Sequence, residues 1–449
     1  MPFGSLASTI APVNSRLLPR ILLAVIVAAY VVIGILYAAF TPTWQVPDEP
    51  AHYNYIRALA GGRGFPVIEP GDYDQAYLER LKGEKFPPEL TVEPVEYEDH
   101  QPPLYYLLAT PVYLLFGGAV LPLRLLSVLC GAGLLVVACG TVRTIFPTRP
   151  ELALMAAALI AFIPQHVAMT AGVNNDALAE LVVGSTLWAL VVYLGGSRER
   201  PWPIGLLLAV ALLTKTTAYI VVGVAVLAVA IRWRQERRMW GWAVRQLSWM
   251  LIPALAVSVP WFVRNGLIYG WHDPLVLVRH NVVVAEQPRS FEWLARYGWG
   301  GLLSRMARTT FQSFWGQFGW MALVLPARIY QALALFSVVL ATGFVWWLFD
   351  RRRPRLTPLQ RASLLLLLAS CLMTTFSFFW YNLTFVQHQG RYLFPALIPI
   401  GAAAALGLST LVTVLPWRLR TWPVVTLFAG LAAFDVYCLF KFVVPFLTR

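Results

Sequence analysis

The order of apolar and polar residues divides the chain into long apolar runs joined by short polar segments. Each run of roughly 20 apolar residues can cross a hydrocarbon core of about 30 Å as a helix that pairs its own backbone groups. The pattern therefore predicts an all-α polytopic membrane protein with about eleven transmembrane helices. The expected spans are 21–40, 121–142, 151–169, 177–195, 203–214, 217–231, 246–263, 328–348, 360–380, 392–413 and 421–445.

The charge distribution predicts the orientation of these spans. A net charge of +13 could indicate a nucleic-acid-binding protein, but the arginines form short clusters between apolar runs, where the positive-inside rule expects them. We therefore predict no nucleic acid partner, and a cytoplasmic position for all six clusters. Eleven crossings then put the N-terminus in the cytoplasm and the C-terminus outside. The clusters are Arg16 and Arg20; Arg143 and Arg149; Arg198 and Arg200; Arg232, Arg234, Arg237, Arg238 and Arg245; Arg351, Arg352, Arg353, Arg355 and Arg361; and Arg418 and Arg420.

Because consecutive arginine clusters must lie on the same side, the number of crossings between them must be even. This count assigns the segment "PPLYYLLATPVYLLFGG" at 102–118 to the membrane interface. It is short, interrupted by proline and rich in tyrosine, as expected of a helix that lies along the interface. The first extracytoplasmic loop then covers 41–120 with its juxtamembrane helices, and holds twelve of the chain's 22 acidic residues. A second extracytoplasmic segment covers 264–327. No repeat is visible, so we predict a single membrane domain over 1–449.

Two adjacent acids, Asp48 and Glu49, stand between prolines where the first span leaves the membrane, in "PDEPAHYNY". One interpretation is a helix start, because Asp is a good N-cap and both Pro and acids suit the first turn. The other is a partly desolvated carboxylate that acts as general base on an acceptor hydroxyl or amine, with His52 following at helical spacing. The sequence leaves both interpretations open.

Two further polar segments lie on the predicted outer side. "EDHQPPLYY", which contains His100, fits an aromatic-belt entry into the interfacial helix or a polar site beside lipid head groups. "GVNNDALAEL" puts Asn175 and Asp176 at the outer start of a span, where helix capping would suffice to explain them. Because Asp176 and Asp48 are predicted on the same side, the two acids could also bind an acceptor or a metal together.

Two basic residues interrupt apolar sequence on that side. Lys215 in "LLTKTTAYI" separates two apolar stretches, so it either snorkels at a helix turn or contacts a phosphate group. In "QHQGRYLFP", Arg391 either anchors the chain at the interface or grips phosphate bidentately. Gly390 beside it would let the backbone approach closely.

Together these segments resemble the bacterial branch of the GT-C glycosyltransferases. These polytopic enzymes use polyprenyl-phosphate-linked sugars and include protein mannosyltransferases and the lipid A aminoarabinose transferase. The resemblance rests on "PDEPAHYNYIRAL", "HQPPLYY", "NND", "LLTKTTA" and "GRYLFP", over roughly 20–240 and then through "SFWGQFGW" and the last motif. Two departures are the residues at "HQPP", which are more basic in some relatives, and the lack of a large soluble C-terminal domain. Acceptor recognition is therefore expected from the two outer loops.

The resemblance implies a role for each candidate residue. Asp48 is the catalytic base, and Glu49 belongs to the same acidic pair. The acceptor or a metal is held by Asp176, His52, His100 and Asn175, and the donor phosphate is bound by Lys215, Arg391, Tyr392, His388 and Arg264. A divalent cation (Mg²⁺, Mn²⁺ or Ca²⁺) is compatible with the acids, although no spacing dictates a ligand set.

The implied function is transfer of a sugar from a polyprenyl-phosphate donor in the lipid bilayer to an extracytoplasmic glycan, lipid or protein. The reaction is expected to be an inverting single displacement at the outer face of a bacterial-type inner (plasma) membrane. A rival class is a transporter or flippase of lipid-linked saccharides, which should show mid-membrane charges and paired discontinuous helices. A third class is an assembly subunit of an envelope complex, which would not consume a polyprenyl-phosphate sugar.

Overall fold

The computed structural model describes residues 13–196 and 199–448, with side chains from residue 17 onward. The predicted cytoplasmic arginines Arg16 and Arg198 have side chains outside this description. In chain order the first nine helices are α1 Val13–Phe40, α2 Glu49–Ala60, α3 Gln75–Gly83, α4 Leu104–Leu115, α5 Val120–Ile145, α6 Pro150–Ala161, α7 Pro164–Thr170, α8 Asp176–Leu194 and α9 Trp202–Leu212.

The second half of the chain is equally helical. Its helices are α10 Ile220–Gln235, α11 Trp240–Tyr269, α12 Leu277–Val283, α13 Ser290–Trp315, α14 Ala327–Phe349, α15 Pro358–Asn382, α16 Leu397–Val412, α17 Thr421–Cys438 and α18 Val444–Thr448. Short 3-10 segments at Thr216–Tyr219 and Gly390–Ala396 lead into α10 and α16. The described strands are β1 Gln317–Phe318 and β2 Leu323–Val324, which pair as one antiparallel hairpin.

Each of the eleven predicted spans coincides with helix. In the described part of the chain nine helical segments are long and apolar enough to cross a membrane, and the bent pair α6 and α7 raises the number to ten. The eleventh predicted span is α9, which has only 11 residues. The expectation of an all-α polytopic membrane protein is confirmed.

The short helix α9 follows the C-terminal end of α8 and leads the chain back to the N-terminal end of α8. Near its start, Gln246 of α11 donates from Nε2 to the carbonyl oxygen of Glu199, 2.8 Å away. After its end, Lys215 forms an ion pair of 2.6 Å with Asp176, the first residue of α8. Since the ends of a spanning helix lie at opposite membrane faces, α9 returns the chain from one face to the other.

The span predicted at 151–169 is broken by proline. Pro164 has no N–H, so it cannot donate to the carbonyl oxygen of Ile160, and the axes of α6 and α7 differ by 68°. His166 satisfies that carbonyl through Nδ1 at 3.2 Å, and its Nε2 lies 3.0 Å from the buried carboxylate of Glu180. The break is therefore stabilised by side chains inside the core.

The apolar core is built by close packing of spanning helices. Helix α5 packs against α1, α6 and α8, and α16 packs against α6 and α14. At the crossing of α14 and α16, a Cβ added to Gly343 would lie 2.5 Å from the carbonyl oxygen of Gly407. Small residues at such a crossing let two helix backbones approach each other in a membrane.

The two ends of this bundle differ in chemistry. At one end the predicted cytoplasmic segments meet: Gln360 donates to the carbonyl oxygen of Ile145 at 3.2 Å, and Arg149 donates to Ser409. At the opposite end, Lys85 of the first outer loop donates to the carbonyl oxygen of Phe446 in α18. These contacts bring the segments near Arg149 and Arg361 together at one end of the bundle, and α18 ends beside the loop at the other.

The two predicted outer segments fold against each other. Residues of α3 and its flanking loop, including Leu81 and Tyr97, form a small apolar cluster with Val284 after α12 and with Phe385 after α15. The predicted interfacial helix at 102–118 is observed as α4, 12 residues long with Pro111 inside it. This packing covers the outer end of the bundle and encloses the candidate site.

Candidate active site

A cavity of about 350 Å³ lies beneath the two outer segments. Its walls come from the first outer loop, the turn after α9, α12, the outer end of α15 and the 3-10 segment before α16. The cavity brings together residues that are far apart in sequence. Those of its lining residues that can carry charge are Asp48, Glu98, His100, Lys215, His280 and Arg391, and Tyr392 also lines it.

Asp48 points into this cavity and does not cap a helix. It precedes α2 with a left-handed backbone (φ 67°), and its side chain makes no capping hydrogen bond. Instead, Oδ1 accepts from the hydroxyl of Tyr97 at 2.7 Å, and Oδ2 accepts from Nη2 of Arg391 at 2.5 Å. A left-handed non-glycine residue costs on the order of 1 kcal/mol or more, so the surrounding contacts hold Asp48 in place. A helix does start here, with Asp48 at the N-cap position and Pro50 in the first turn, but the carboxylate of Asp48 does not cap it.

The electrostatic environment keeps Asp48 ionised. Burial alone would raise the pKa of this carboxyl, but the guanidinium of Arg391, together with His52 and the Tyr97 hydroxyl, outweighs burial and lowers the pKa to about 2. At neutral pH the group is therefore a carboxylate. Its basicity depends on how closely the guanidinium stays paired with it.

A second ion pair joins two candidates that were expected to act on different substrates. Nζ of Lys215 lies 2.6 Å from Oδ1 of Asp176, which starts α8. Lys215 follows α9 in extended conformation (φ −165°, ψ 145°), and Leu213 beside it accepts a hydrogen bond from the backbone of Leu104 in α4. The lysine lines the cavity, and the aspartate lies behind it.

Arg391 has unused hydrogen-bonding capacity. It is 8% exposed, and its Nη2 donates to Asp48. Nε and Nη1 are buried without a hydrogen-bond partner among the described residues. An arginine has five N–H groups in a planar fork, and leaving them unpaired in a buried site is unfavourable. The guanidinium can therefore bind an additional acceptor while it lines the cavity.

The backbone at Gly390 approaches a neighbouring helix and not a ligand. Its N–H donates to Oγ of Ser313 at 2.7 Å. An added Cβ would lie 2.3 Å from the backbone nitrogen of Phe314 and 2.4 Å from the carbonyl oxygen of Thr310, both on α13. The glycine thus presses the chain against α13 and sets the position of Arg391 next to it.

We expect Gly390→Ala to destabilise the protein by about 1–3 kcal/mol or more, because two backbone atoms must move to admit the methyl group. The measurement is the apparent unfolding temperature of the purified protein in detergent. Gly430→Ala is the matched control, because nothing lies within 4 Å of the Cβ it would add. Equal stability of the two variants would contradict this account of Gly390.

Glu49 is buried away from the cavity, so the expectation that it pairs with Asp48 is wrong. Its carboxylate binds Arg124 of α5 in a bidentate ion pair, with Nε at 2.7 Å and Nη2 at 2.6 Å. It also accepts from the backbone N–H groups of Trp44 and Val173. Every acceptor position is used, and the two neighbouring acids serve different purposes.

Two of the predicted phosphate-binding residues also lie elsewhere. Arg264 on α11 donates to the carbonyl oxygens of Phe65 and Pro66, and so fastens the first outer loop to the membrane helix. His388 is buried and packs edge to face on Trp293 with ring centroids 5.7 Å apart. Neither lines the cavity, which corrects their assignment to the donor phosphate.

Of the predicted acceptor residues, His100 lines the cavity, whereas His52 and Asn175 lie behind its wall. His52 is buried in α2, with Nδ1 2.8 Å from the hydroxyl of Tyr106. Asn175 is buried and donates from Nδ2 towards Gln101 and the carbonyl oxygen of Thr214, each at 3.4 Å. These two residues support the wall of the site without direct access to it.

Four site residues were not assigned from the sequence. Tyr97, Glu98 and Gln101 come from the short turn before α4, and His280 comes from α12 of the second outer segment. The segment "EDHQPPLYY" drew notice as a polar stretch, but nothing in it singled out the glutamate. No feature of the sequence pointed to His280 as a site residue, because its position depends on how the two outer segments pack.

The arrangement does not fit a divalent cation. In the described part of the chain no group of three or more His, Cys, Asp or Glu side chains is arranged to hold a metal. The two acids expected to share a metal are each neutralised by a protein cation, Asp48 by Arg391 and Asp176 by Lys215. A metal would have to displace both cations, so no step is assigned to one.

Comparison with protein families gives one match, and comparison with curated proteins gives none. Residues 100–263, a little over a third of the chain, match the family described as dolichyl-phosphate-mannose-protein mannosyltransferase. This stretch runs from His100 into the last third of α11 and so includes Asp176 and Lys215. Asp48 and Arg391 fall outside it.

Solved structures show the same fold. The chain is 16% identical to an Archaeoglobus fulgidus oligosaccharyltransferase in complex with Zn and sulfate, with 92% of this chain and 52% of that chain covered and a TM-score of 0.52. It therefore spans about half the length of that protein. It is also 16% identical to ArnT from Cupriavidus metallidurans bound to undecaprenyl phosphate, with 97% and 74% covered and a TM-score of 0.50. The chain shares the fold of these two proteins, and the family match over 100–263 agrees with the resemblance that its motifs indicated.

Proposed function

We propose that this protein is a membrane glycosyltransferase that moves a sugar from a polyprenyl-phosphate donor to an extracytoplasmic acceptor. The observation that carries the proposal is the Asp48–Arg391 pair at the cavity, in which one partner is a carboxylate and the other a guanidinium with free N–H groups. A base and an anion-binding group side by side are what attack on a phosphate-linked sugar requires.

Arg391 and Lys215 are proposed to bind the donor phosphate. Both line the cavity, and arginine forks match phosphate oxygens in bidentate geometry. Two neighbours of the same fold support this class of ligand, since an archaeal oligosaccharyltransferase is in complex with a dolichol-phosphate and ArnT with undecaprenyl phosphate. The lipid chain would leave the cavity along α15, where Trp380 both lines the cavity and is 65% exposed.

Asp48 is proposed as the general base. The acceptor hydroxyl or amine gives its proton to this carboxylate and forms a bond to the anomeric carbon. The bond from that carbon to the phosphate oxygen breaks, and its electron pair leaves with the lipid phosphate, whose added charge Arg391 and Lys215 stabilise. Attack from the side opposite the phosphate inverts the configuration.

Donor binding would also activate the base. While Arg391 is paired with Asp48, the pKa of the carboxyl is held at about 2, and so it accepts protons weakly. A phosphate that engages the free Nε and Nη1 groups draws the guanidinium towards itself. The carboxylate then loses part of the attraction that lowered its pKa, and its basicity rises only when a donor is present.

The proposed orientation puts this site outside the cell. The arginine-rich end of the bundle would face the cytoplasm together with the N-terminus, by the positive-inside rule, in a bacterial-type inner (plasma) membrane. The acidic loop and the cavity then face the extracytoplasmic side. The acceptor, a glycan, lipid or protein, would approach beneath the second outer segment, and the chain would act as one membrane domain.

We expect Arg391→Gln and Lys215→Met each to weaken binding of undecaprenyl phosphate by roughly 10-fold or more, since each removes a charge-assisted contact. Binding is measured with the purified protein in lipid nanodiscs. Arg80→Gln serves as the control, because Arg80 is an exposed arginine of the first outer loop, paired only with Glu84. Unchanged affinity in both site variants would contradict the assignment.

The activity itself is tested by incubating the protein in lipid with radiolabelled polyprenyl-phosphate sugars. The proposal predicts loss of label from the lipid for one donor and appearance of the label in an acceptor. Movement of an intact labelled lipid between leaflets, without cleavage, would indicate that the protein is a transporter and not an enzyme. A protein that neither cleaves nor moves any donor would overturn the proposal in favour of an assembly subunit.

A further inference from the structure

Two carboxylates line the cavity and a third, Asp176, pairs with a lysine that lines it, and the three differ in their charge partners. Asp48 is paired with Arg391 and Asp176 with Lys215, so each pair is neutral overall. Glu98 also lines the cavity, but it forms no ion pair in the described part of the chain. Glu98 therefore has no cation paired with it directly: burial raises the pKa of its carboxyl, and His52 and Lys215 counteract that shift from a distance.

The position of Glu98 is fixed by a short polar turn. Gln101 donates from Nε2 to Oε2 of Glu98 at 2.8 Å, and from its backbone N–H to the carbonyl oxygen of Glu98 at 2.9 Å. Oε1 of Gln101 accepts from Asn175 at 3.4 Å, which ties the turn to α8. Within the described residues, Oε1 of Glu98 accepts no hydrogen bond, so it is free to bind a ligand group.

The two histidines next to Glu98 do not neutralise it. The rings of His100 and His280 lie with centroids 4.3 Å apart. His100 donates from Nδ1 to the carbonyl oxygen of Tyr97, and its Nε2 accepts from Gln101, a pattern that only the neutral ring satisfies. Burial lowers the pKa of His100 to about 4 and also holds the pKa of His280 well below its usual range. Both rings are uncharged at neutral pH.

We propose that Glu98 determines which sugar the enzyme carries, by accepting hydrogen bonds from hydroxyl or ammonium groups of the transferred glycosyl unit. The inference rests on the proposed function, which brings a phosphate-linked sugar into this cavity. The donor phosphate adds a second negative charge, and a carboxylate on the sugar would add a third beside Glu98. The site therefore takes neutral or amino sugars and rejects uronic acids.

The test compares two probes that differ only at one carbon of the sugar, a short-chain polyprenyl-phosphate glucose and the corresponding glucuronate. Binding to the purified protein in nanodiscs is measured for wild type and Glu98→Gln. We expect wild type to prefer the neutral probe by roughly 10-fold or more. In Glu98→Gln the neutral probe should bind more weakly and the glucuronate more tightly, so that the preference is lost.

Two controls separate the possible failures. Glu96→Gln removes a charge from the same loop without changing the cavity lining, and should keep the wild-type preference. Glu98→Asp keeps the charge, and should still reject the glucuronate even if Glu98→Gln proves unstable. Undecaprenyl phosphate without a sugar should bind Glu98→Gln at least as tightly as wild type, because the variant removes a negative charge from the cavity.

An unchanged preference in Glu98→Gln, with normal binding of undecaprenyl phosphate, would overturn the role of Glu98 and leave the proposed function standing. Failure of wild type to bind undecaprenyl phosphate would instead overturn the proposed function, and this inference with it.

Discussion

Replacing Asp48 with asparagine should reduce sugar transfer by about 100-fold to 10,000-fold, the range typical for loss of a general base. The substitution keeps the size of the side chain but removes the group that takes the acceptor proton. Turnover is measured as release of a radiolabelled sugar from its polyprenyl-phosphate donor. Binding of undecaprenyl phosphate should be kept or strengthened, because Arg391 loses its protein partner and becomes fully available.

Asp74→Asn is the matched control for this result. Asp74 lies in the same outer loop, caps α3 through its side chain, and does not line the cavity. Asparagine is an equally good N-cap, so turnover should stay normal. Near-normal turnover in Asp48→Asn itself would refute the assignment of the base, whereas loss of both turnover and lipid binding would point to misfolding.

Most of the fold could be predicted because a membrane limits the choices. Apolar runs of sufficient length must become helices, and arginine clusters alternate with them in a way that fixes parity. The same argument predicts that α9 crosses the membrane and that α4 does not, although α4 has 12 residues and α9 has 11. Hydropathy alone does not separate them, whereas the count of crossings between arginine clusters does.

The candidate site was only partly predictable, since pairing between distant residues leaves no trace in a single sequence. Charge and topology put Asp48, Asp176, Lys215 and Arg391 on one side of the membrane. Asp48 is bound by Arg391, which lies 343 positions away. This pairing follows only from the packing of α16 against the bundle. A lysine between apolar stretches needs a partner, and Asp176 was near enough in the predicted topology to be that partner.

Glu49 shows most clearly how far prediction from the sequence is limited. Next to Asp48 in sequence, it points to a different side because Asp48 lies before α2 with a left-handed backbone, whereas Glu49 begins the helix. Its partner Arg124 sits at the outer start of α5, in an arginine position that the topology argument did not use. Without that partner in view, two adjacent acids suggested a catalytic pair.

Breaking the Glu49–Arg124 pair should have the largest effect on stability, because it leaves one buried charge without its partner. Side-chain exposure is 0% for Glu49 and 3% for Arg124, and removal of one member of such a pair typically costs about 3–5 kcal/mol. We expect both Glu49→Gln and Arg124→Met to lower the apparent unfolding temperature in detergent strongly. Surface variants such as Arg80→Gln should leave it unchanged.

The double variant Glu49→Gln, Arg124→Met distinguishes this structural role from a catalytic one. It removes both charges together, so its destabilisation should be smaller than the sum of the two single changes. Arg124 also donates to the carbonyl oxygens of Ala38 and Thr41 where α1 ends, seven residues before Asp48. The pair therefore fixes the exit of the first span and, through it, the base. If Glu49→Gln were as stable as wild type yet as inactive as Asp48→Asn, Glu49 would act in catalysis after all.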